Sequence, residues 1–325
     1  MPGKTEEQIL QSATSHAHPW RGYLCIAMAT LCWGASAAVG KIIFNGGLFA
    51  GQPAISPLVL TQTRTTFSLT MLALFLFLRG GRSAFRIGAT DLGSCLLVGS
   101  FGLGVSAFFY YVAIQQATVA IAITVQYTAP VWVLLYMALR GREKLTARRV
   151  SAVVLALTGV ALTIGLFESG ARLSAYGAGA AMVAAFGFSF YNIGAQALIT
   201  RHHQFKVMLY ALLGSSLLWL VVDPPWRLFE QHYSTGQWTF LFLFACGSML
   251  VPFAFYFTGL KYLDPTRAVV TSCLEPVFAV LMAGVLAHET VRSLQAAGIV
   301  AVLAATVMIQ MQERGRSIPP SPKTA

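Results

Sequence analysis

The sequence predicts an all-α polytopic membrane protein, with ten transmembrane helices built as two inverted five-helix repeats. Three observations lead there. Apolar residues make up 56% of the chain, charged residues 10%, and mean hydropathy is +0.68, whereas a soluble domain carries about 25% charge. The apolar residues gather in ten runs of about 18–26 residues, close to the ~20 that cross a hydrocarbon core of about 30 Å as a helix. The third observation is an internal repeat at a shift of 146 positions.

Residues 1–19 are polar and lack the apolar core of a secretory signal, so they read as a disordered cytoplasmic tail. The ten runs follow at about 21–44, 57–78, 90–113, 118–139, 147–167, 174–199, 205–222, 238–259, 265–287 and 292–311. They divide into a first repeat, residues 20–167, and a second, residues 168–312, before a polar tail at 313–325. Loop charges set the expected orientation. With the N-terminus inside, the inner segments hold Lys4, Arg21, Arg79, Arg82, Arg86, Arg140, Arg142, Lys144, Arg148, Arg149, Arg201, Lys206, Lys261, Arg267, Arg314, Arg316 and Lys323. The outer loops hold only Arg172, Arg227 and Arg292. That bias predicts both termini in the cytoplasm of a cell whose inner membrane the chain spans.

Under the 146-residue shift, Tyr110–Glu143 lies ungapped on Tyr256–Glu289. Tyr110 meets Tyr256, Ala122 meets Ala268, Pro130 meets Pro276, Leu135 meets Leu281 and Glu143 meets Glu289. Each half has five spans, and an odd number makes the second half enter the membrane inverted. Local signals agree. Asp264-Pro265 is a helix cap followed by proline at the first helical position. Ile114–Ala117 and Leu260–Asp264 are short enough to be tight hairpin links. Gly177, Ala181 and Ala185 form a small-residue stripe for close helix packing.

Other classes are disfavoured by the same residues. The net charge of +11 would suit nucleic acid only if it formed a basic face on a folded domain, and here the basic residues lie between apolar runs. The five cysteines and six histidines show no metal-ligand spacing, so neither metal nor other cofactor is expected. No phosphate-binding Gly-rich loop or soluble nucleotidase segment occurs, so an ion gradient, exchange or facilitated flow would supply the energy.

The ensemble resembles the drug/metabolite transporter superfamily in its EamA branch. The resemblance rests on ten spans in two halves, on Trp33-Gly34 in the first span, and on a proline followed by a terminal glutamate in the fourth span of each half. Those pairs are Pro130 with Glu143 and Pro276 with Glu289, and Leu274-Glu275-Pro276-Val277 is especially similar. The likeness covers about residues 21–311. The second half departs from it, with Phe186-Gly187 where the first has Trp33-Gly34. Membership implies helices 1, 3, 4, 6, 8 and 9 around a central cavity. It implies a secondary transporter of a small organic solute, most simply an exporter of amino acids or related metabolites working by alternating access. Two other readings stay open: a membrane-embedded enzyme acting on a lipid-linked substrate, and a non-transporting receptor or scaffold.

Glu275 is the sharpest candidate. An acid at mid-membrane depth is costly and is a functional hypothesis by default, either coupling protons or pairing a substrate amine; its alternative is a structural hydrogen bond. Ala129 stands at its repeat position, so only one half carries such an acid. Ala268, Thr271, Ser272, Glu275 and Ala279 share one helical face. Polar or aromatic groups at similar depth complete a candidate solute-binding set: Trp33, Ser36, Tyr110, Tyr111, Gln126, Ser189, Asn192, Tyr256 and Ser272, with Tyr127 and Gln196 nearby. Each of these could instead bond helix to helix. Pro130 and Pro276 read as hinges, and Glu143 and Glu289 as structural groups at helix junctions. Arg64 reads as a structural cation or a carboxylate ligand. The structural role is favoured because the second span is outside the implied cavity lining.

Overall fold

The computed structural model describes residues 19–44, 49, 51–53, 55–116, 119–166, 175–224, 226–287 and 292–310. Both predicted tails and Glu289 lie outside the described residues. All ten predicted apolar segments are helical where described. They are α1 (Pro19–Phe44), α2 (Pro57–Gly80), α3a (Ala89–Leu97), α3b (Val105–Gln116), α4a (Val119–Gln126), α4b (Ala129–Leu139), α5 (Ala147–Thr163), α6 (Ala175–Ile199), α7 (Gln204–Val222), α8a (Thr235–Ala245), α8b (Val251–Leu260), α9a (Pro265–Ser272), α9b (Leu274–Ala287) and α10 (Ser293–Gln310). Among the described residues, six stretches meet the length and hydropathy of a membrane span outright: Ala89–Tyr110, Ala175–Ile199, Gln204–Val222, Thr235–Leu260, Pro265–Met282 and Ser293–Gln310.

Helix starts follow from capping chemistry. The Ser56 side chain accepts from the Val59 amide at 3.2 Å, with Pro57 at the first turn. Asp264 accepts from the Arg267 amide at 3.0 Å ahead of Pro265. Ser234 and Gln237 cap each other reciprocally at the start of α8a. These contacts satisfy amide donors that a helix start leaves open.

Four of the ten segments are interrupted, which the apolar pattern alone did not predict. A proline lacks an N–H, and its ring clashes with the carbonyl four residues earlier. For Pro130 and Pro276 those positions are Gln126 and Ser272, the last residues of α4a and α9a. The first residues outside the helix are Tyr127 and Cys273, which coincide under the 146-residue shift. The second kind of interruption is π-helical: Val98–Gly104 within the third segment and Cys246–Leu250 within the eighth. Shifting the first by 146 gives residues 244–250, which contain the second. The repeat therefore extends to the irregularities.

The halves interlock instead of packing side by side. The α1 helix of the first half packs on α8b and α9b of the second, while α6 of the second packs on α3b, α4a and α4b of the first. At the flanks α5 pairs with α10 and α2 with α7. The two largest apolar clusters among the described residues lie one around Ile26, Tyr191, Met208 and Phe257, the other around Ala156, Val270, Val302 and Ile309. The arrangement brings the broken helices α4 and α9 to the middle of the molecule. Basic loop residues gather at the end where α1 begins, called here the basic face. There Lys206 donates to the Arg86 carbonyl at 2.8 Å, and Asp91 holds His202 at 2.7 Å and Arg201 at 3.3 Å.

Candidate functional site

The two proline breaks meet. Tyr127, the first residue past α4a, donates its hydroxyl to Glu275 Oε2 at 2.6 Å. Glu275 is the second residue of α9b, where free amides and the helix dipole favour a carboxylate. One hydrogen bond thus ties the break of the first half to the break of the second. Trp33-Gly34 explains how α1 joins them. A Cβ on Gly34 would lie 2.7 Å from the Ala279 nitrogen and 3.0 Å from the Glu275 carbonyl, so only glycine lets α1 press onto the helix that carries Glu275.

A second polar link lies alongside. Tyr256 of α8b donates to Asn192 Oδ1 of α6 at 2.5 Å, and Asn192 donates to the Phe188 carbonyl at 2.7 Å. Both residues are fully buried. Trp33 stacks over this link, its ring centroid 5.2 Å from Tyr256 and 5.1 Å from Phe253. The buried Tyr191 hydroxyl of the same aromatic group has no hydrogen-bond partner among the described residues. Ser189 bridges α6 to the start of α4b through the Ala129 carbonyl at 3.3 Å. The structure therefore gathers Trp33, Ser189, Asn192, Tyr256, Ser272 and Glu275 around the two breaks.

The remaining candidates divide between the breaks and more distant positions. Ser36 spends its hydroxyl on the Cys32 carbonyl of its own helix, 2.6 Å away. Tyr110 packs with Ala113, Ala180 and Ala181 between α3b and α6. The Tyr111 side chain is outside the described residues. Gln126 is half-buried, and it is its neighbour Tyr127 that reaches Glu275. Thr271 and Ser272 are buried, each bonding a carbonyl of α9a at 2.7 Å, so that face is packed protein and not an open wall. Pro130 and Pro276 are buried at the two breaks. Glu143 is buried and ion-paired with Arg149 at the basic face.

Two participants were underweighted in the sequence. Tyr127 carried a signal, since it stands three residues before Pro130, but a straight helix would aim it elsewhere. Arg64 of α2 leaves its own helix entirely. Its guanidinium donates to the Ser248 carbonyl at 2.8 Å, rests over the Phe244 ring at 5.6 Å and leaves Nε buried without a partner. Ser248 lies in the π-helical stretch of the eighth segment, whose widened ladder exposes carbonyls to a neighbour. Among the described residues no group of three or more His, Cys, Asp or Glu is arranged for a metal.

Comparison with known proteins places this architecture. Residues 20–165 and 175–311 each match the EamA-like transporter family, so the two matches correspond to the two halves. The uncharacterized inner membrane transporter YicL of Salmonella typhimurium is 23% identical over 306 residues, covering 91% of this chain and 97% of that protein. An uncharacterized transporter of Archaeoglobus fulgidus is 27% identical over 200 residues, 61% of this chain and 70% of that one. The uncharacterized transporter YxxF of Bacillus subtilis is 23% identical over 213 residues, 64% of this chain and 67% of its own. A solved crystal structure superposes with a TM-score of 0.72 at 21% identity, covering 90% of this chain and 97% of the other, and so shares the fold.

Proposed function

Because the chain belongs to the EamA-like transporter family, and is a multi-pass membrane transporter of that type, we propose that it exports a small zwitterionic solute, an amino acid or related metabolite, by alternating access between its halves. The observation that carries this reading is the Tyr127–Glu275 hydrogen bond joining the two helix breaks. Interfaces between inverted repeats, where half-helix ends meet at mid-membrane, are where transporters bind solutes. Glu275 supplies the carboxylate that carries the coupling proton, and an amine is its alternative partner. Arg64 supplies a fixed guanidinium, held on the Ser248 carbonyl, the group best shaped for a carboxylate. Trp33, Asn192, Tyr256 and the unpartnered Tyr191 hydroxyl add an aromatic, hydrogen-bonding surround.

Transport would proceed by weakening the Tyr127–Glu275 tie. An incoming amine, or a proton on Glu275, competes for the carboxylate and frees α4b to move against α9a. Pro130 and Pro276 leave each helix without a continuous hydrogen-bond ladder at that point, so the half-helices tilt there at low cost. The basic face is proposed as cytoplasmic from its Lys and Arg excess. A membrane-embedded enzyme is the weaker reading, since among the described residues no group of three or more His, Cys, Asp or Glu is arranged to hold a metal.

The test uses inverted membrane vesicles from cells producing the protein. A proton gradient should drive uptake of at least one labelled amino acid at several times the rate of vesicles lacking it. A single cysteine at Arg142, in a background free of the native five, should react with an impermeant reagent added to those vesicles. No uptake across the amino-acid panel refutes the substrate class, and labelling only in right-side-out vesicles refutes the orientation.

A further inference from the structure

At the basic face the two halves are fastened together by charge. Glu143, just past α4b, and Arg149, in the first turn of α5, come from the first half. Asp264, which caps α9a, and Arg267, in its first turn, come from the second. Arg149 pairs with Glu143 on its own side and with Asp264 across the halves at 3.4 Å. Asp264 in turn meets Arg267 at 3.2 Å. The side chains of Arg149, Glu143 and Arg267 are 10%, 4% and 8% exposed and that of Asp264 is 22%, so these are partly to largely buried pairs, unlike solvated surface pairs of negligible effect. Toward the membrane centre from this cluster lies an apolar plug. Val133 and Met137 of α4b and Val269 of α9a pack with Ala129, all nearly or fully buried.

The repeat offers an internal control. Under the 146-residue shift, Glu143, Arg149, Asp264 and Arg267 fall on Glu289, Gln295, Thr118 and Ile121. An inverted repeat carries those counterparts to the opposite membrane face. Of these four positions, only that of Glu143 keeps an ionisable residue in its repeat counterpart. Gln295 spends its side-chain amide on the Thr163 carbonyl at 3.3 Å, a neutral contact within the α5–α10 flank.

We infer that the Glu143–Arg149–Asp264–Arg267 cluster is an ionic latch that holds the pathway shut at the basic face and makes that closed form the resting state. Opening this face must part α4b and α5 from α9a. It therefore separates Arg149 from Asp264 and exposes the Val133–Met137–Val269 plug. The inference rests on the alternating-access reading above and adds to it which gate is locked and by what.

The experiment measures shape and not flux. Spin labels at Arg142 and Lys261, both exposed, report the gap between the end of α4b and the start of α9a in protein held in lipid nanodiscs without solute. Arg149→Gln installs the residue that the repeat places at the other gate. Asp264→Asn removes the cross-half charge while keeping a good helix cap. Each variant should raise the population of the wider spacing at least about tenfold over the parent, the scale at which a lost coupling shifts a two-state equilibrium, while keeping a cooperative melting transition. An unchanged distance distribution in both variants overturns the latch. So does widening that appears only together with loss of the melting transition, which would make the cluster a structural brace. Widening in a protein that moves no solute supports the latch and counts against the transport reading.

Discussion

Glu275→Gln should abolish gradient-driven accumulation, by at least about a hundredfold, while solute exchange across the membrane persists. Glutamine matches glutamate in shape, and its carbonyl oxygen can still accept the Tyr127 hydroxyl now held at 2.6 Å. The tie between the helix breaks therefore survives, as does the packing of Gly34 against α9b. What disappears is the group that can take up and release a proton between the halves. Uncoupling without misfolding separates the coupling role from the structural one. In proteoliposomes carrying a pH gradient, the parent should concentrate solute and the variant should only equilibrate it. Full accumulation by the variant would remove Glu275 from coupling. Loss of exchange as well would mean that the carboxylate is required for binding itself, through the substrate amine.

Gly99→Ala should cost at least about 2 kcal/mol of stability, at the upper range for forcing extra atoms into a packed interior. A Cβ at Gly99 would lie 2.0 Å from the Ala211 carbonyl oxygen of α7, and one at Gly214 of α7 would lie 2.3 Å from the Leu96 carbonyl oxygen. Both obstacles are backbone, which cannot rotate aside. Because α3 belongs to the first half and α7 to the second, either substitution pries the halves apart. Gly247→Ala is the control. Its Cβ would meet nothing within 4 Å, so the general helix preference for alanine over glycine should leave stability unchanged or raise it. Melting temperatures in one detergent compare all three. Equal melting of Gly99→Ala and Gly247→Ala would contradict the close crossing of α3 and α7.

How much of this was legible in the sequence depends on which physical rule each residue obeyed. The apolar segments were legible because the bilayer fixes their length, and Glu275 because an acid at that depth must be accounted for. The repeat was legible through Pro130 and Pro276, yet a proline does not reveal whether its helix bends or parts. Here the parting redirects Tyr127, so the sequence emphasis on Gln126 fell one residue short of the group that binds Glu275. The π-helical stretches had no reliable marker. Both stretches contain a Gly-Ser pair, Gly99-Ser100 and Gly247-Ser248, but the pairs stand two positions apart under the 146-residue shift, and such pairs occur in unbroken helices as well. Arg64 was visible as a cation within a span, but its partner was not, because the Ser248 carbonyl that accepts from it lies in the second of these stretches. The ion cluster could be half seen: Glu143 was read as structural, but its connection through Arg149 to Asp264 crosses 115 positions of chain.

The central claim is that solute passes only when the two halves part between α4b and α9a. In a protein freed of its native cysteines, Met137→Cys and Val269→Cys place one thiol on each side of the buried plug. A short bifunctional maleimide then bridges them, and a cleavable version of the same reagent releases them. Solute exchange in proteoliposomes should fall to the protein-free rate when the bridge is closed and return when it is cleaved. Exchange that continues undiminished across the closed bridge would contradict the account.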